Sequence, residues 1–173
     1  MGRGRCGPWY DKLHLFDVDL PTGESWRESV AYVAGDTASV IDTPIGRLGL
    51  SICYDLRFPD LYRALSDAGA TVLAIPSAFT RPTGAAHWEP LLRARAIEAG
   101  AYVIAAAQTG DHADGRQTHG HSLVVDPWGE VLLDMGDAPG LRVVDIDQER
   151  VDAVRARIPA LCHRRPIPPV GVA

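Results

Sequence analysis

Apolar positions along this chain recur with two periods, and the changes from one to the other mark its elements. Ser39–Asp42 and Arg47–Ile52 are short β-compatible runs on either side of Thr43-Pro44-Ile45-Gly46, the pattern of a hairpin. From Leu61 the period lengthens. Leu61, Ala64, Leu65 and Ala68 fall at i, i+3, i+4 and i+7 along one helical face, with Pro59 suited to the first turn and Gly69 to the stop. Thr71–Ile75 and Ala101–Ala107 are continuous apolar runs of the kind found in buried parallel strands. Between them the pattern predicts a helix over Glu89–Ala99, where Arg93 and Arg95 are expected to pair with Glu89 and Glu98 along a solvated face. His121–Asp126 and Glu130–Asp134 flank the Pro127-Trp128-Gly129 turn as a second hairpin. Leu141–Ile146 reads as a further strand, and Gln148–Ile158 as a closing helix with Val151, Val154 and Ile158 on one side.

The remaining stretches carry no clear period. Residues 11–20, DKLHLFDVDL, are ambiguous between a strand and an extended loop. PTGESWRESVAYVAGDTA, PSAFTRPTGAAHW and TGDHADGRQTHG read as loops, and the tail from Cys162 as extended chain. Strands alternating with helices, followed by a hairpin-rich run, predict an α/β layered fold around a mixed sheet.

Composition narrows this picture. A chain of 173 residues with 46% hydrophobic content reads as one soluble domain over residues 10–166, with residues 1–9 as an unstructured lead and 167–173 as a tail. The formal charge of −5, from 17 basic and 22 acidic residues, argues against nucleic acid or an anionic membrane as partner. No apolar run reaches membrane-spanning length, and MGRGRCGPWY lacks a signal-peptide core. Cys6, Cys53 and Cys162 are odd in number and widely spaced, which fits a reducing cytoplasm rather than a disulfide framework. Lys12 is the sole lysine beside sixteen arginines, a hint that it stands where a compact, titratable cation is required.

The candidate chemistry centres on Cys53. A cysteine between an apolar strand and a helix sits where backbone N–H groups favour a thiolate and a developing oxyanion, the geometry of a nucleophile elbow. The ordinary alternative is a small buried cysteine ending a core strand. A cysteine–histidine pair, with His87 or His121 as partner, is a second catalytic possibility. His112, Asp114, His119 and His121 cluster in sequence and raise a zinc site, but no second group with ligand spacing supports one.

Four motifs then fall in order: YDKLHLFDV around Lys12, GLSICYDLRFPDLYR around Cys53, PSAFTRPTGAAHWEPLLRARAIE, and GHSLVVDPWGEVL. Together they resemble the carbon–nitrogen hydrolase (nitrilase) superfamily from Tyr10 to about Pro166. The SAFT-x2-TG-x2-HW run, the AAAQ strand end and the HRRP tail are closest to its deaminated glutathione amidase branch, and the ω-amidase branch shares the same skeleton. The resemblance implies a four-layer α-β-β-α sandwich, here N-terminally truncated to its C-terminal two-thirds. It implies a hydrolase that cleaves a non-peptide C–N bond of a small-molecule amide through a cysteine thioester, with no cofactor and no metal, acting as a homodimer or higher homo-oligomer. Residue by residue, it makes Cys53 the nucleophile, Lys12 and the backbone N–H of Tyr54 the oxyanion partners, and Glu28 a second glutamate that positions Lys12 or the substrate. Arg57 and Phe79 fall among pocket-lining residues, with Arg57 able to pair with a substrate carboxylate. An exposed loop carboxylate is the plain alternative for Glu28, and a structural or dimer-contact arginine for Arg57. One departure stands out. The family's general-base glutamate lies upstream of the lysine, and the eleven residues before Lys12 contain none. A chain without that base is expected to be a poor hydrolase, surviving at the extreme only as an interaction partner.

Overall fold

The computed structural model describes residues 9–20, 23, 25–113 and 115–171. Among the described residues, ten strands and three α-helices follow one another as β1 (Asp17–Asp19), β2 (Ser25–Arg27), β3 (Val40–Thr43), β4 (Gly46–Leu50), α1 (Pro59–Asp67), β5 (Val72–Ala74), α2 (Arg81–Ala99), β6 (Tyr102–Ala105), β7 (Thr109–Asp111), β8 (Gln117–His119), β9 (Leu123–Val125), β10 (Val131–Asp134) and α3 (Gln148–Arg157). Six strands make one mixed sheet in the order β10-β9-β6-β5-β4-β3; β4, β5 and β6 run parallel and the flanking pairs antiparallel. Two small hairpins, β1–β2 and β7–β8, stand apart from it.

The pleat sorts the strand residues onto two faces. Leu73, Val103, Ala105, Leu123 and Val125 turn toward α1 and α2 and form the main core with Leu61, Leu65, Trp88 and Leu92. Val72 and Tyr102 turn the other way and meet Val151 of α3, with Leu48, Ile104 and Ile146 packed against them. The chain thus supplies one helical layer and the sheet beneath it, with α3 on the far side.

Beyond strand β2 and the 3-10 helix Glu28–Val30, which lie inside the stretch expected as a loop from Pro21 to Ala38, the elements differ from the sequence pattern in four further places. The stretch expected as a loop from Pro76 to Trp88 is helical from Arg81 onward. Pro82 sits in its first turn, where a missing N–H leaves no bond unmade. The buried stripe of α2 includes Gly84 and Arg95 beside Trp88, Leu92, Ala96 and Ala99, so two of its positions carry no apolar signal. Gly84 is needed for space: a Cβ there would lie 2.3 Å from the His119 side chain. Gly100, at φ 52, ends the helix in the left-handed conformation that glycine takes without strain. Second, Arg95 is buried rather than solvated. Its Nε and Nη2 donate to the Leu56 carbonyl at 3.1 and 3.0 Å and its guanidinium lies over the Tyr62 ring, while Arg93 stays on the surface with Glu89. Third, the loop expected over residues 109–120 folds as the β7–β8 hairpin. Fourth, residues 141–146 join no ladder, and Leu141 and Val143 are exposed. The expected lead, residues 1–9, lies outside the described residues except for Trp9, which is exposed.

Candidate active site

The site forms at the carboxyl ends of the three parallel strands, where an open α/β sheet leaves a crevice. β4 stops at Leu50, and the chain turns through Ser51 and Ile52 into a 3-10 turn, Cys53–Arg57, before α1 begins at Pro59. Cys53 adopts φ 51, a left-handed conformation unusual for a residue with a side chain, and its N–H donates to the Pro76 carbonyl at 2.9 Å. The expected strand-to-helix elbow is therefore present, with a short 3-10 turn between strand and helix. Arg95 of α2 supports that turn from below by holding the Leu56 carbonyl.

A cavity of about 890 Å³ opens above the elbow. Cys53, Lys12, Glu28, Tyr54, Arg57 and Phe79 all line it, although Lys12 and Cys53 are 41 positions apart. Lys12 Nζ donates to Glu28 Oε2 at 2.5 Å, and the same oxygen accepts the Phe16 N–H at 2.7 Å. Glu28, in the short 3-10 helix Glu28–Val30, is thus a partner of Lys12 rather than a free loop carboxylate. Arg57 lies over the Phe79 ring and contacts His87 Nδ1 at 3.2 Å. Burial pushes the Cys53 thiol up from its ordinary value of 9.0; the Ala78 N–H, the Lys12 ammonium and the Ser77 hydroxyl pull it back, and the Glu28 carboxylate opposes them.

The histidines go elsewhere. His87 meets Arg57 and His121 meets Asp134 at 3.0 Å, and neither lines the cavity, so the cysteine–histidine pairing is not formed. His119 and His121 stack with ring centroids 4.5 Å apart, and His112 contacts the Thr118 hydroxyl. Asp114 lies outside the described residues, among which no group of three or more metal-ligating side chains converges.

The sequence pattern missed several neighbours. Trp26 and Arg116 border the cavity, with the Arg116 guanidinium 4.9 Å from the Trp26 ring centroid. Asp55, two residues past the cysteine, is fully buried and bonded to the segment that carries Lys12. An acidic residue in a first turn looks like an ordinary helix-start preference, so no periodic signal could have singled it out.

The sequence model of the carbon-nitrogen hydrolase family matches residues 3–156, most of the chain. This chain belongs to that family. Its relatives include the deaminated glutathione amidase of Synechocystis, 52% identical over 157 residues that make up 90% of this chain and 58% of the relative. The crystal structure of the C. elegans NitFhit protein superposes with a TM-score of 0.81 at 52% identity, covering 90% of this chain and 38% of that one. A Nesterenkonia amidase mutant, described as carrying acrylamide added to its active-site cysteine, superposes with a TM-score of 0.67 at 32% identity over 86% of this chain and 55% of that one. The chain spans between 36% and 58% of the length of these curated relatives. The α/β nitrilase fold of these neighbours, with helices over a mixed sheet, is the fold of this chain.

Proposed function

We propose that this family member hydrolyses a non-peptide amide bond of a small carboxylate substrate, deaminated glutathione, with Cys53 as nucleophile. The observation that supports the reading most is the meeting of a strained elbow cysteine, a lysine and a glutamate on one cavity wall. The name of the Synechocystis relative supports the substrate. Arg27, Arg57 and Arg116 around the same cavity suit an anionic one.

In this mechanism the Cys53 sulfur attacks the amide carbonyl carbon and the thiol proton passes to solvent water, which returns a proton to the leaving amine. The tetrahedral oxyanion develops beside the Lys12 ammonium and the Tyr54 N–H. The C–N bond then breaks, the amine leaves with a proton, and a thioester remains. Water cleaves the thioester, releasing the carboxylic acid and restoring the thiol. Glu28 holds Lys12 in place. It is also the only carboxylate lining the cavity among the described residues, and its Oε2 is engaged by Lys12 and the Phe16 N–H. With no second carboxylate lining the cavity among the described residues to act as base, a contribution of about 10²–10⁴-fold is forgone and slow turnover is expected.

The test is to incubate the purified chain with deaminated glutathione, follow release of the free amine, and look for an acyl adduct on Cys53 by mass spectrometry. Slow turnover with an adduct, lost in Cys53→Ala and not retained in Lys12→Arg, is the expected result. Arginine's planar fork cannot replace a compact ammonium at an oxyanion. A chain with neither turnover nor adduct would instead act through binding alone.

A further inference from the structure

Lys12 lies on a segment that belongs to no sheet ladder, so something other than secondary structure must hold it over Cys53. The residue best placed to do so is Asp55. Its side chain is completely shielded from solvent, and its two oxygens accept four hydrogen bonds. Oδ2 accepts from the Tyr10 hydroxyl at 2.8 Å and the Ile52 N–H at 2.9 Å; Oδ1 is joined to the His14 N–H at 3.0 Å and to His14 Nδ1 at 2.7 Å. Those four contacts use the whole accepting capacity of a carboxylate. They also divide cleanly: one goes to the residue just before Cys53, and three go to Tyr10 and His14, the residues two positions on either side of Lys12. The Tyr10 hydroxyl in turn accepts the Leu13 N–H at 3.3 Å, closing the segment on itself. The His14 ring stacks on Phe58, at the end of the elbow turn, with centroids 3.6 Å apart and planes 6° from parallel. Burial and the Asp55 carboxylate raise the Tyr10 phenol far above its ordinary value, so it remains a donor throughout the physiological range.

A buried carboxylate is expensive unless every lone pair is satisfied. Here every partner lies on one of two segments, and those segments carry the cysteine and the lysine. We propose that Asp55 is a positioning residue: it clamps the Tyr10–His14 segment to the elbow and thereby sets Lys12 in register with Cys53. The proposal rests on the amidase reading only for what Lys12 and Cys53 then do.

The test reads Cys53 directly and needs no turnover. The full chain is alkylated with iodoacetamide across a pH series, and modification of the Cys53 peptide is followed by mass spectrometry, apart from Cys6 and Cys162. Tyr10→Phe removes one clamp bond. His14→Phe keeps the stack on Phe58 and removes the Nδ1 contact. Each is expected to move the alkylation profile to higher pH and to slow reaction at pH 8 by about 3- to 10-fold, because a displaced ammonium no longer favours the thiolate. Lys12→Ala alone should slow it similarly, and Tyr10→Phe added to Lys12→Ala should change it no further. Unchanged profiles in both clamp variants, no effect of Lys12→Ala, or a full additional loss in the double variant would each overturn the clamp. A lowered melting temperature with an unchanged profile would mean a merely structural Asp55 and overturn it too. Should coupling hold while deaminated glutathione is not hydrolysed, the clamp stands and the amidase reading falls.

Discussion

At the scale of single residues, the site sets opposing influences on one sulfur. Burial raises the Cys53 thiol, and the Ala78 N–H and Lys12 lower it. The net rise means that the folded chain holds this proton more tightly than the unfolded chain does. Its contribution to stability is therefore complete below the ordinary thiol value of 9.0 and is lost as pH climbs through the raised value. Alkylation of Cys53 in the folded chain is accordingly expected to have its midpoint above that of the same peptide in denaturant; an equal or lower midpoint would contradict the balance described. Arg95 shows what a buried cation does in such a frame. It satisfies the Leu56 carbonyl twice, covers Tyr62 and reaches Glu98 at 2.9 Å. Arg95→Met fills much of the space and leaves that carbonyl unsatisfied. A loss of about 2–4 kcal/mol in urea unfolding is expected, with slower Cys53 alkylation as the elbow turn loosens.

At the scale of elements, the cavity depends on how α2 meets the β7–β8 hairpin. Trp88 Nε1 donates to the His121 carbonyl at 2.7 Å, and the His119 N–H donates to the Phe79 carbonyl at 2.9 Å, so the start of α2 and the end of β8 share a close seam. Gly84 sits in that seam, and a methyl group there meets His119 with no free space. Gly84→Ala should therefore destabilise the fold by about 1–3 kcal/mol, although the same change in an open helix would stabilise it. The hairpin also carries Arg116 to the cavity mouth, so a shift of β8 should raise KM for an anionic amide more than it lowers kcat. An unchanged or increased melting temperature would show that the seam has room.

At the scale of the whole molecule, charge is unevenly shared. The chain carries −5 overall, yet Lys12, Arg27, Arg57 and Arg116 line the cavity, where Glu28 is the one carboxylate among the described residues and Arg27 is paired with Asp19 outside the lining. A locally positive cleft in an acidic protein concentrates anions where the chemistry is. For an amide bearing carboxylates, kcat/KM is expected to fall about 3-fold or more between 20 mM and 500 mM salt, as the screening length shortens to a few ångströms. A neutral amide should show no such fall, and equal salt dependence for the two would remove the steering argument.

What the sequence determined by itself was local. The elbow from Leu48 to Ala68, both large hairpins and the closing helix are legible because each rests on a short repeat of apolar positions and on turn residues beside it. Cys53 and Lys12 stood out for the same kind of reason, one at a strand end, the other as the sole lysine. The tertiary structure decided what depends on partners far along the chain. Gly84 and Arg95 belong to the buried stripe of α2, but neither is apolar; with Gly84 as the buried position before Trp88, the first two turns carried no signal, and the burial of Arg95 further along carried none either. Residues 141–146 alternate like a strand and yet join no ladder, because a ladder needs a neighbour and not only a pattern. Glu28 and Asp55 look like ordinary surface acids in the sequence. Which carboxylate is buried and which one holds the lysine is settled only when segments 41 and 16 positions apart are brought together, since the cost of burying a charge is offset by partners that no local window contains.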